Sequence, residues 1–251
     1  MIAFELRLTI EVKSDKRRFL KMRSMHMSNQ QIHQKAAVYS GVSLLIMTLA
    51  AFFAQGYVHS SLVVEGGPSA TLANIQSSQL LFRLEILGWV IIIVTDLIVS
   101  WGFYQFLKPF HSGYALLAGG LRLIYTAILT IAVVNLISAD QAVTAVSASQ
   151  QVMNSIMSFE TIWSLGLIVF GVHLTAVGAV ALKTAKIPKV ISTMLIMAGI
   201  SYSLIHFMYN FIPEIAQFTG ILELALMAPM FIGELSFGIW LLVKGRKLIA
   251  D

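Results

Sequence analysis

The sequence predicts an all-α polytopic membrane protein, a six-helix transmembrane bundle with both termini cytoplasmic, and three observations carry that prediction. The chain has 251 residues, 57% hydrophobic and only 12% charged, with a mean hydropathy of +0.81. Soluble domains carry about a quarter charged residues, so an aqueous fold is excluded. Six continuous apolar stretches, 36–58, 80–107, 114–137, 156–182, 190–211 and 221–243, each reach the roughly 20 residues that a hydrocarbon core of about 30 Å demands. They do not alternate over about 10 residues as outer-membrane strands do. Finally, the basic residues fall on alternate connections.

Each element is bounded by turn chemistry: Glu65-Gly66-Gly67-Pro68, Lys108-Pro109, His111-Ser112-Gly113, Ile187-Pro188 and Pro213. Arg7, Lys13, Lys16, Arg17, Arg18, Lys21, Arg23 and Lys35 precede the first span. Lys108, then Lys183, Lys186 and Lys189, then Lys244, Arg246 and Lys247 follow the second, fourth and sixth. That is 15 of the 17 Lys and Arg on one side, and connections 58–79, 138–155 and 212–220 contain none. Basic residues are retained in the cytoplasm, so the +5 net charge is a topology signal and nucleic acid is not an expected partner. The expected location is a membrane, crossed six times with both ends on the cytoplasmic side. The lipid bilayer is the expected partner, with a small molecule, ion or lipid as open ligand classes and the oligomeric state unassigned.

Residues 1–35 form a basic cytoplasmic arm, expected to be disordered, 36–247 the transmembrane domain and 248–251 a short tail. Within the arm, 4–13 alternates apolar and polar as a half-buried strand would, without a partner strand. Met22, Met25 and Met27 are alternative starts, and no cleavage signal follows the first apolar run. Two segments between spans read as helical without being apolar: one capped by Ser69 or Thr71 and running to Leu80, the other over 141–153.

The ordered set Leu81-Phe82-Arg83-Leu84-Glu85, Phe106-Leu107-Lys108-Pro109, Leu121-Arg122-Leu123, Phe170-Gly171-Val172-His173-Leu174, Gly233-Glu234-Leu235 and Trp240-Leu241-Leu242-Val243-Lys244-Gly245 resembles the bacterial membrane proteins grouped as domain of unknown function 4386. The resemblance covers about 36–247. The long N-terminal arm and Lys108, where Arg is commoner, depart from the pattern. A six-span inner-membrane protein is what the resemblance implies, with no activity to transfer.

Polar side chains in lipid are costly and face the bundle interior, so they are the candidate site. Asp96 precedes Lys108 by 12 residues, Arg122 follows His111 by 11, and His173 and Glu234 each precede a loop lysine by 10. At 1.5 Å per residue all four lie roughly 15–18 Å from the cytoplasmic end, near the midplane, on four helices. Arg83, Glu85, Glu160, His206, Asn210 and Glu223 form a second set near the outer boundary. Eleven residues return a helix to within about 20° of the same face. Glu85, Trp89 and Asp96 therefore share a stripe on span two, and Glu223 and Glu234 one on span six. Span five carries Gly199, Tyr202, His206 and Asn210 in phase, and Gly171, Thr175 and Ala179 give span four a small-residue face.

The first reading is structural: Arg122 pairs with Asp96 or Glu234 and fixes helix assembly. A second makes the carboxylate levels stations of a transporter or proton relay, with His173 or His206 as carrier. A third is an intramembrane lipid-acting hydrolase using Asp96, His173 and Glu234, and a fourth a small-ligand sensor or accessory subunit. His173 and His206 differ in depth by about 10 Å and cannot share a metal. With zero Cys there are no thiolate sites, and no zinc-protease, nucleophile-elbow or phosphate-loop motif occurs, so no metal and no cofactor are expected and enzyme activity is not favoured.

Overall fold

The computed structural model describes Met27 and residues 29–248. The expected strand over 4–13, the alternative starts at Met22 and Met25, and positions 249–251 of the tail lie outside the described residues. Six helices are long and apolar enough to cross a membrane, and among the described residues there are no strands. The first, α1, runs Asn29–Leu62 and contains a π-helical stretch, Phe52–His59. A short helix, α2, covers Pro68–Ser77. The remaining spans are α3 Gln79–Leu107, α4 Ser112–Ala142, α5 Ala148–Lys183, α6 Lys189–Phe211 and α7 Ala216–Val243, with single 3-10 turns at Pro213–Ile215 and Gly245–Lys247.

In hydrocarbon every backbone N–H must bond within its own helix, so the apolar runs fold as uninterrupted helices. Their ends, however, follow turn chemistry and not apolarity. Residues 29–35, ahead of the predicted boundary at 36, are already helical, so their assignment to a disordered arm is corrected. The reason is His33, which is buried, bonds the Phe106 carbonyl at 3.0 Å and stacks on the Phe106 ring. The predicted separate helix over 141–153 is also absent: α4 continues to Ala142, a turn follows, and Ala148 already belongs to α5. Helix α2 exists, but neither Ser69 nor Thr71 caps it. Pro68 occupies its first turn after Gly67, and the Thr71 hydroxyl accepts from the Val64 N–H at 2.9 Å.

Consecutive helices pack side by side from α3 to α7, and α2 lies across the start of α5. That end of the bundle, with α2, is called upper here. Helix α1 lies between α3 and α7 and so closes the series. A Cβ on Gly41 would sit 2.5 Å from Leu242 Cγ and 2.8 Å from the Gly238 carbonyl, so only glycine permits this contact between α1 and α7. Another close seam joins α5 to α6. There a Cβ on Gly199 would come 2.4 Å from Thr175 Oγ1 and 2.5 Å from the Gly171 carbonyl, a backbone-to-backbone approach. Of the small face expected on span four, Gly171 and Thr175 take part. Gly178 adds to this face, meeting Ser192 and Ile196. Inside lie Phe82, Phe103, Phe106, Phe159, Phe237, Leu129 and Leu136, while Leu49, Leu80, Leu116 and Leu224 project outward.

Candidate functional site

Four interior faces meet at Arg122. Asp96 on α3, Arg122 on α4 and His173 on α5 are fully buried, and Glu234 of α7 reaches in beside them. Arg122 Nε donates to Asp96 Oδ1 at 2.8 Å, and Nη2 lies 2.6 Å from the same oxygen. Nη1 donates to Glu234 Oε1 and lies 3.1 Å from His173 Nε2, while Nη2 also approaches Met47 Sδ of α1 at 3.5 Å. Since a guanidinium only donates, His173 must accept at Nε2, and its proton is on Nδ1, which donates to the Ala118 carbonyl at 2.8 Å. Phe103 and Phe170 flank the guanidinium, their centroids 5.6 and 5.5 Å from Cζ. Glu234 owes its position to Gly233, where a Cβ would strike Ala198 and the Met194 carbonyl of α6.

The arrangement is one cation against two carboxylates. Asp96 Oδ2 is buried and bonded to no protein group. A lone carboxylate oxygen in a fully buried site is costly, and it marks Asp96 as the member of the cluster with spare hydrogen-bonding capacity.

The second set does not form one cluster. It separates into four groups, because residues at one depth on different helices face different neighbours. Glu85, fully buried on α3, bonds His59 Nδ1 at 2.7 Å, and Glu160 of α5 bonds His59 Nε2 at 3.1 Å. His206 and Asn210 of α6 engage Ser164 of α5. Glu223 of α7 accepts from the Tyr209 hydroxyl at 2.6 Å. Arg83 pairs with Asp140 at 3.0 Å, alongside Gln79. His59, Ser164 and Asp140 escaped the sequence reading. His59 stands one residue beyond the predicted end of span one, and Ser164 looks like any small residue in a helix. Only Asp140, an isolated acid in an uncharged connection, carried a signal.

Between the Arg122 and His59 groups, α3 presents Trp89 on the same buried face. Its ring meets Phe159 and Trp163 edge-on, and its Nε1 has no bonding partner, as is also true of Glu85 Oε2 and of Gln55 Oε1 on α1. Among the described residues no three His, Asp or Glu side chains are arranged to hold a metal ion. Of the cavities described, one lies at the lower end beside His111 and Lys183 and another on the outer surface of the α5–α6 seam.

Comparison with known proteins places this geometry in a family without assigning it a task. An uncharacterized protein of Archaeoglobus fulgidus is 28% identical over 165 residues, which cover 65% of this chain and 85% of that protein. No solved structure matches the chain. The family described as domain of unknown function (DUF4386) matches residues 39–245, a stretch that includes α1 from Tyr39 onward and all five later spans, and the chain belongs to that family.

Proposed function

We propose that this six-span protein handles protons within the membrane, as a relay or proton-coupled transporter, with the Arg122 cluster and the His59 group as its two stations. The observation that carries this is the surplus of acid at both levels. At the lower level, two carboxylates share one guanidinium. At the upper, His59 faces a carboxylate from each ring nitrogen, and both contacts are hydrogen bonds only if the imidazole carries two protons or one acid keeps its own. Each station thus has a place for a labile proton. Glu85 and Asp96 are 11 residues apart on one face of α3, about 16 Å along the helix. The unpaired polar atoms of Trp89 and Gln55 belong to the same interior. Buried polar atoms of this kind are commonly served by internal water.

The test uses vesicles containing a pH-reporting dye and the full chain. Proton flux down an imposed gradient is expected, and Asp96→Asn and Glu85→Gln should each abolish it. Arg122→Gln with Glu234→Gln removes a charge pair and should restore stability lost in the single variants while flux stays lost. Recovery of stability and flux together would make the network purely structural, the reading that the saturated Arg122 contacts otherwise favour.

We propose that both termini lie on the cytoplasmic side of the membrane, from the alternation of Lys and Arg alone. Because the chain has no Cys, cysteine introduced at exposed Ser69, Ser147 or Ser112 gives a clean probe. Ser69→Cys and Ser147→Cys should react with an impermeant thiol reagent on intact cells and Ser112→Cys should not. The opposite pattern inverts the orientation.

A further inference from the structure

We infer that the upper part of the α5–α6 seam is a serine-hydrolase site for membrane acyl esters, with Ser164 as nucleophile and His206 as its base. This site is separate from the Arg122 cluster and does not rest on the proton-handling reading.

The hydrogen-bond partners of Ser164 carry the assignment. Ser164 Oγ lies 2.9 Å from His206 Nδ1. Asn210 places one amide atom 2.7 Å from Ser164 Oγ and 2.7 Å from the His206 carbonyl oxygen. A carbonyl only accepts, so that atom is the amide nitrogen, and it donates to Ser164 as well. Oγ accepts from Asn210, and in the tautomer of His206 that carries its proton on Nε2 the Nδ1 atom accepts the Ser164 proton, which is the state the reaction uses. This is the geometry of a hydroxyl poised to lose its proton to a base. Other hydroxyls of α5 behave as helix hydroxyls ordinarily do: Ser158 and Thr161 donate to the carbonyls four residues back, at 2.9 and 2.8 Å. Tyr202 stacks on the His206 ring, centroids 6.2 Å apart and planes within 11°, and limits its rotation.

A second observation supplies the substrate class. A groove of about 410 Å³ follows the same seam, lined by Ile168, Val172, Ile200, Leu204 and Phe207. Ile168 stands one turn from Ser164, and Phe207 follows His206 directly. Val172, Ile200, Leu204 and Phe207 are exposed on the outer surface of the bundle, which in a membrane is the lipid phase. Ser203 and Thr175 also line the groove, but their hydroxyls are already satisfied by the Ile168 and Gly171 carbonyls, so an apolar chain fits it. Ser164 precedes Lys183 by 19 residues, about 28 Å of helix. That depth is the far boundary of a core of about 30 Å, where lipid ester carbonyls and water meet.

In the reaction, Ser164 Oγ bonds to the ester carbonyl carbon while its proton passes to His206 Nδ1. The Asn210 amide is then free to donate to the developing oxyanion. The ester C–O bond breaks, the alcohol leaves with the proton from His206, and water, deprotonated by the same ring, releases the fatty acid and restores the serine. The net change is ester plus water to acid plus alcohol.

The full chain, purified in detergent and monodisperse, is treated with an alkyl fluorophosphonate and mapped by peptide mass spectrometry. One adduct on Ser164 is expected, with hydrolysis of a 4-nitrophenyl fatty ester in mixed micelles. Ser164→Ala should abolish both, His206→Gln should reduce them at least about 100-fold, and Ser158→Ala should change neither. Leu204→Trp should raise KM for long-chain esters more than for short ones. Folded wild-type protein without an adduct on Ser164 overturns the assignment, as does hydrolysis that survives Ser164→Ala. If that variant fails to fold, the mapping of the wild-type chain decides alone.

Discussion

The two polar groups that flank Trp89 on α3 each set two carboxylates around a central basic side chain, yet they are built from different bases at different depths. At the Arg122 level the base is a guanidinium with five donors. It is fully buried, gripped by α1, α3, α5 and α7, and sandwiched between Phe103 and Phe170. At the His59 level the base is an imidazole with two ring nitrogens, and one of its acids, Glu160, leaves 46% of its side chain exposed. A permanently charged fork fixes geometry, whereas an imidazole between two acids near the boundary can exchange a proton with its surroundings. The contrast predicts that the lower group dominates stability and the upper one exchange.

The largest effect should come from Arg122→Met. It strips the only cation from two carboxylates, and breaking a buried pair typically costs 3–5 kcal/mol, roughly, visible as a large drop in the melting temperature of the detergent-solubilised protein. A melting temperature equal to that of the parent would mean that the network is not packed as described. Glu85→Gln comes next. It keeps the shape and leaves His59 with one weaker partner, for a loss of about 1–3 kcal/mol by the same measurement. Glu160→Gln is expected to stay below about 1 kcal/mol because its carboxylate is half in solvent. Equal losses for the two glutamates would dissolve the distinction between a buried and an exposed acid at the upper group.

Much of this arrangement is legible in the chain because membrane insertion is so restrictive. Continuous apolar runs locate six spans, and counting helical rise from the loop lysines brings Asp96, Arg122, His173 and Glu234 to one level, where the structure joins them through Arg122. The same counting fails for the second set. Depth says nothing about azimuth, and Glu85, His206, Glu223 and Arg83 turn to four different partners. Met47 was invisible for another reason: a thioether in an apolar run has no marker of its role. Helix ends were misread where the apolar pattern stopped before the helix did, at Asn29, Ala142 and Ala148.

The π-helical stretch in α1 has a consequence for how that helix can evolve. Its bonds reach from residue i to i+5, so each turn accommodates more chain than an α-turn, and side chains beyond it are offset from the phase set by the lower half. Ser40 and Met47 precede the stretch, and Ala54, Val58 and His59 are its buried residues. Deleting a single residue there would let the stretch tighten to α geometry without unfolding either half. His59 stands at the end of the stretch, so its place between Glu85 and Glu160 is kept only if the tightened helix presents the same face to α3 and α5.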